Sequence, residues 1–98
     1  MFHVYIVTNK PQGTLYIGHT DCIARRVWEH QEKMLKGFTW KYNLDKLVWY
    51  SPHDSRRDAL EFEDRLKNWR RSWKIALIET DNPSWTDLSY ELTGMPAR

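Results

Sequence analysis

Two short stretches rich in β-branched and aromatic residues, Val4-Tyr5-Ile6 and Leu15-Tyr16-Ile17-Gly18, lie either side of Asn9-Lys10-Pro11-Gln12-Gly13, a run of turn formers. Phe2 to Thr8 alternates, the turn interrupts it, and Thr14 to His19 resumes an extended pattern, which predicts a β-hairpin. The hairpin constrains the rest of the fold, because opposed residues of an antiparallel pair share a face of the sheet. The two tyrosines therefore point the same way only if partner numbers sum to an odd value, as with Tyr5 opposite Tyr16; an even sum separates them.

A chain of 98 residues suits one domain, expected over residues 1–92 with a tail at 93–98. Such a chain buries roughly 60–70% of its unfolded surface and has no room for a second core. Six tryptophans and five tyrosines exceed what a minimal core needs, so some rings are expected to face a partner. A net charge of +2 is too mild to announce a nucleic-acid binder. Its distribution says more: Arg56 to Lys74 carries seven basic residues against four acidic ones, whereas Ile75 to Ala97 carries only acids. The basic run suits a solvated helix face or a phosphate-binding patch. Cys22 is the single cysteine, which rules out an internal disulfide and a cysteine-based zinc site and fits a reducing cytoplasm. No stretch approaches the roughly 20 apolar residues of a membrane span, and the first residues lack a leader pattern. A cytoplasmic location without a membrane partner is expected.

Thr20 or Asp21 can cap a helix running to about Lys36, ended by Gly37, with Ile23, Val27 and Met34 as its apolar stripe. Arg26 and His30, one turn apart, fall inside that stripe, so both need partners. Phe38 to Asn43 reads as an aromatic, basic loop, and Leu47 to Tyr50 as a third strand stopped by Ser51-Pro52. Ser55, with Asp58 three residues on, opens a helix whose stripe is Ala59, Phe62, Leu66 and Trp69. Glu63 projects near the middle of that stripe and Glu61 away from it. Ile75 to Glu79 continues as a short helix, and Asn82-Pro83 starts another through Leu88. The class predicted is α+β: a three-stranded antiparallel sheet flanked by helices, in the order β-β-α-β-α-α-α.

Two phenols, a guanidinium, an imidazole and a carboxylate are the groups needed to activate water against a phosphodiester, provided the fold brings them together. Their order, Tyr5, Tyr16-Ile17-Gly18, Thr20, Arg26, His30 and then Glu63 with Lys67 in a later helix, resembles the GIY-YIG nuclease superfamily, in particular its small stand-alone bacterial members. Leu47 to Tyr50, the segment around Glu63, Lys74 to Ile78 and Asn82 to Leu88 resemble that subgroup too. His3 and Val4 depart from the first signature triplet, of which only Tyr5 is retained.

The resemblance implies a metal-dependent endonuclease acting on nucleic acid, DNA before RNA, selective for structure or for single strands; some relatives act in DNA repair. It implies catalytic roles for Tyr5, Tyr16, Arg26, His30 and Glu63, with Glu63 holding one Mg²⁺ or Mn²⁺. Arg26 would stabilise charge on the phosphate and His30 would orient a tyrosine hydroxyl. Tyr5 is assigned as the base and Tyr16 as its partner or a phosphate ligand. Lys41, Lys67 and Arg70 are candidate phosphate contacts, and Trp40, Trp69 and Trp73 could stack bases. His3, His19 and His53 show no ligand-like spacing and are read as non-metal residues. A non-catalytic nucleic-acid-binding or protein-interaction module on the same scaffold, including a homodimer, is the alternative.

Overall fold

The computed structural model describes residues 1–32 and 37–93, with Phe38 and Thr93 described by backbone only. Strands β1 (Phe2–Thr8), β2 (Leu15–Thr20) and β3 (Lys46–His53) form one antiparallel sheet in the order β2-β1-β3. Among the described residues the helices are α1 (Ile23–Gln31), α2 (Phe38–Lys41), α3 (Arg56–Asn68), α4 (Arg71–Asp81) and α5 (Ser89–Thr93). The α+β class and the antiparallel sheet agree with the sequence reading; the order of elements gains α2.

The hairpin is held from within and from outside. Thr8 Oγ1 donates to Thr14 O at 2.7 Å, and Asn9 Oδ1 accepts from Thr14 N at 3.1 Å. Arg71, at the start of α4, donates to both Gln12 O and Gly13 O, so a helix far along the chain clamps the turn. The resulting register pairs Tyr5 with Gly18 and Val7 with Tyr16. Those sums are odd, so Tyr5 and Tyr16 share a face, although Tyr5 lies opposite Gly18 and not opposite Tyr16.

The two faces of the sheet are buried separately. Val4, Ile6, Ile17, Val48 and Trp49 pack with Ala59 and Leu66 of α3, Ile78 of α4 and Trp85. Tyr5, Val7 and Leu47 pack with Ile23 and Val27 of α1 and with Leu44, and Leu88 and Leu92 join that cluster from its margin. A shift of register between Ile6 and Val7 leaves Val48 as an extra residue on β3. This bulge lets Val48 and its neighbour Trp49 both contribute to the α3 face.

Several boundaries differ from the sequence reading, each for a local reason. The cap of α1 is Cys22, without a side-chain bond; Thr20 Oγ1 instead accepts from Cys22 N in the turn before it. The expected continuation of that helix to Lys36, Met34 included, lies outside the described residues beyond Glu32, where the helix closes. In place of the loop expected at 38–43, one helical turn forms between Gly37 (φ 118°) and Asn43 (φ 60°), and it delivers Leu44 into the core. Strand β3 runs on through Ser51-Pro52, which pairs with His3, because an edge strand tolerates a missing N–H. Ser55 does cap α3, accepting from Asp58 N at 3.1 Å. Helix α4 is longer than the expected 75–79.

The segment from Asn82 to Leu88 is not a helix. Asn82, 5% exposed, donates through Nδ2 to Val48 O and Thr86 O and accepts at Oδ1 from Thr86 N, which fixes a loop with Trp85 at φ 55°. Asn82→Ala removes all three bonds and strands buried backbone groups. It is expected to lower the free energy of unfolding by about 2–4 kcal/mol, measured by urea unfolding; a loss below about 0.5 kcal/mol would show that the loop does not depend on this side chain.

Candidate active site

Gly18 is the point from which the site is built. A methyl group at its Cα would lie 2.6 Å from the Tyr5 hydroxyl oxygen, 2.8 Å from Tyr5 Cζ and 3.1 Å from Tyr16 Cε1. The Tyr5 ring thus crosses β2 over a residue that has no side chain. Its hydroxyl meets His30 Nε2 of α1 at 3.1 Å. The Tyr16 ring completes a triangle, with centroids 6.4 Å from Tyr5 and 6.0 Å from His30. The strand alternation and the α1 stripe therefore bring Tyr5, Tyr16 and His30 into one cluster.

The electrostatics of this cluster follow from burial. Tyr5 is 2% exposed, and burial first, then the adjacent Tyr16, push its phenol well above the usual range despite the opposing pull of Arg26. His30 is held down at about 4, chiefly by burial and secondly by Arg26 one turn away, so its imidazole is neutral at ordinary pH. Arg26 Nε faces Glu29 Oε1 at 3.6 Å; Arg26 Nε and His30 Nδ1 are both buried without a hydrogen-bond partner among the described residues.

Glu63 stands on the other face of the sheet, on α3. Its carboxylate receives His19 Nδ1 on Oε1 at 2.9 Å and Lys67 Nζ on Oε2 at 3.1 Å. Its negative charge still acts on Tyr5. The two halves meet along the outer edge of β2, where Leu15, Tyr16 and Ile17 with Lys67 and Lys74 line an open cleft of about 380 Å³. A residue pointing to each face of the strand reaches the same cleft, so Tyr16 and Lys67 border it together. Lys41 and Arg70 stand instead over aromatic rings, each 5.5 Å from the centre of Tyr42 and of Trp73. Trp40 and Trp73 are exposed, whereas Trp69 packs against the core.

His19 is the residue that sequence spacing missed. Spacing along the chain connects it to no ligand set, but alternation from Ile17 places it on the α3 face, where the Glu63 carboxylate lies. No group of three or more His, Cys, Asp or Glu side chains able to hold a metal exists among the described residues. Glu63 is thus a single buried carboxylate surrounded by cationic or polarisable donors.

The family model for the GIY-YIG catalytic domain matches residues 1–76. A UPF0213 protein of Halobacterium salinarum is 33% identical over 78 residues, covering 80% of this chain and all of that protein. A UPF0213 protein of Bacillus pumilus is 27% identical over 77 residues, 79% of each chain. The solution NMR structure of a UPF0213 protein from Bacillus halodurans has the same fold, with a TM-score of 0.54 at 22% identity over 95% of this chain and 99% of that one. No helix among the described residues is long and apolar enough to cross a membrane.

The burial of His30 carries a pH signature. The unfolded chain protonates this histidine near 6.5 and the folded chain only near 4, so the unfolded state binds more protons between those values. Its contribution is full above 6.5 and drains away as pH falls toward about 4. The urea midpoint of the wild type is expected to drop more steeply across that window than that of His30→Gln; parallel slopes would contradict a buried, neutral His30.

Proposed function

The chain belongs to the GIY-YIG family, and on that premise we propose that it is a divalent-cation-dependent endonuclease that hydrolyses phosphodiester bonds, in DNA before RNA, with selectivity for DNA structure or single strands. The family is a nuclease catalytic domain and its activity implies nucleic-acid binding. What supports the reading for this chain is that Tyr16 and Lys67 line one cleft along β2, that Tyr5 and His30 pack with Tyr16, and that Glu63 pairs with Lys67.

A phosphate entering that cleft meets the ammonium groups of Lys67 and Lys74. The base that takes a proton from the attacking water must be reachable by water, and Tyr5 is not: it is 2% exposed and tied to His30. The role assigned to Tyr5 on sequence grounds is therefore given to Tyr16, which lines the cleft, and Tyr5 with His30 becomes the support behind it. A phenol has an ordinary pKa of about 10 and accepts a proton at neutral pH only beside positive charge. Arg26, whose charge acts on Tyr5 and His30 behind Tyr16, would stabilise the negative charge that grows on the phosphate oxygens as water adds and the leaving oxygen departs.

Glu63 fits a hard divalent cation. Its carboxylate is one-tenth exposed and already faces a cationic group, the Lys67 ammonium. One carboxylate suits Mg²⁺ or Mn²⁺, which keep several waters and complete their shell with phosphate oxygens. When bound, the cation supplies charge neutralisation at the phosphate. Lys67, half exposed on a long side chain, can leave Glu63 for a phosphate oxygen.

The test is cleavage of single-stranded, duplex and branched DNA and of RNA, with Mg²⁺, Mn²⁺ or chelator. Cleavage is expected with cation only, and Glu63→Ala is expected to abolish it. Tyr16→Phe is expected to lower kcat by about 10²–10⁴, and Tyr5→Phe by less. Arg26→Ala is expected to lower turnover by about 10²–10³ with a smaller effect on affinity. Measurable binding without cleavage under every condition would assign the chain to a binding module, and a dead Tyr5→Phe beside an active Tyr16→Phe would return the base to Tyr5.

A further inference from the structure

We infer that His19 is a second protein ligand of the cation at Glu63, and that its imidazole biases the site toward Mn²⁺ over Mg²⁺. The inference rests on the reading of Glu63 as the carboxylate of that cation and deepens it. His19 Nδ1 and Glu63 Oε1 lie 2.9 Å apart. That is the separation between neighbouring corners of an octahedral shell whose bonds are each about 2.1 Å. The two atoms could thus hold one ion between them after small motions of their side chains, without moving the strand or the helix.

The backbone fixes this pair tightly. His19 follows Gly18 on β2 and is paired with Val4 of β1, a fully buried residue of the α3-face core. Glu63 lies on α3 between Ala59 and Leu66, both fully buried. Neither donor can drift without disturbing core packing. His19 is nevertheless 22% exposed, so water and an incoming ion can reach it.

Without the ion, Nδ1 donates a hydrogen bond to the carboxylate. Ligation uses the neutral tautomer in which Nε2 carries the proton and the Nδ1 lone pair faces the metal. Lys67 holds the second carboxylate oxygen, and at 50% exposure it can swing away as the ion enters. Imidazole nitrogen is a donor that transition metals accept, whereas Mg²⁺ strongly prefers oxygen. Removing His19 should therefore cost Mn²⁺ more than Mg²⁺.

The experiment uses the full chain without DNA. Mn²⁺ binding is measured by calorimetry, Mg²⁺ by competition against Mn²⁺, and bound Mn²⁺ by pulsed electron paramagnetic resonance. The proteins are wild type, His19→Ala, His19→Asn and Glu63→Gln. Asn can still donate a hydrogen bond to Glu63 but offers no ring nitrogen. Nitrogen modulation from imidazole is expected in the wild type and absent in both His19 variants. Mn²⁺ affinity is expected to fall about tenfold or more in both, while Mg²⁺ affinity changes much less. Full recovery of Mn²⁺ affinity in His19→Asn, or a wild-type spectrum without nitrogen modulation, would overturn the inference and leave His19 as a positioning residue. No Mn²⁺ binding by the wild type would likewise overturn the inference, whereas retained Mn²⁺ affinity in Glu63→Gln would overturn the Glu63 assignment with it. Nuclease activity is read by cleavage alone, so its failure is distinguishable from either result.

Discussion

The pairing of Tyr5 with Gly18 is the constraint on which the rest of this structure depends. Because Gly18 has no side chain, a buried phenol can lie across β2 and reach an imidazole on α1. The same register puts Tyr16 beside Tyr5 and turns Ile17 and His19 to the opposite face. A slip of β2 by one residue would turn Tyr16 away from Tyr5 and His30, and His19 away from Glu63. The clamp of Arg71 on the turn gives one of the basic residues of 56–74 a structural part, so that run is not simply a phosphate-binding patch.

The sheet keeps two chemical environments apart. On the α1 side, burial holds Tyr5 protonated and His30 neutral, with Arg26 as the nearby positive charge. On the α3 side, a buried carboxylate is balanced by Lys67 and contacted by His19. Uncompensated charge is costly in either place, and each half resolves that cost locally. They communicate at the edge of β2, where a single strand separates them and Tyr16 shares a cleft with Lys67. An edge position suits a long polymeric substrate, which a closed cavity would exclude.

Much of this is legible in the sequence where one element settles the matter alone. Helical phase places Glu63 inward and Glu61 outward, and Ser55 announces its helix. Parity states the condition for the tyrosines, but it does not choose among the odd registers, and one of the contacts that hold the turn comes from Arg71, 58 residues beyond Gly13. Asn82 misleads because an Asn side chain bonding to nearby backbone serves a loop as readily as a helix start. Pro52 misleads because its effect depends on whether the strand lies at an edge. His19 escapes notice because its partner is 44 residues away on another element, where spacing along the chain carries no signal. That Tyr5 is buried while Tyr16 lines the cleft depends on packing against α1, which the two strands do not announce.

The most direct test of the central claim is the imidazole titration of His30, followed by nitrogen NMR in the wild type and in Gly18→Ala. The wild type should hold His30 neutral down to about pH 4. The added methyl should push Tyr5 off His30, open the cluster to water and move the titration up toward the ordinary histidine range. An unchanged His30 titration in Gly18→Ala would contradict the account, since Tyr5 would then not depend on the empty place at Gly18.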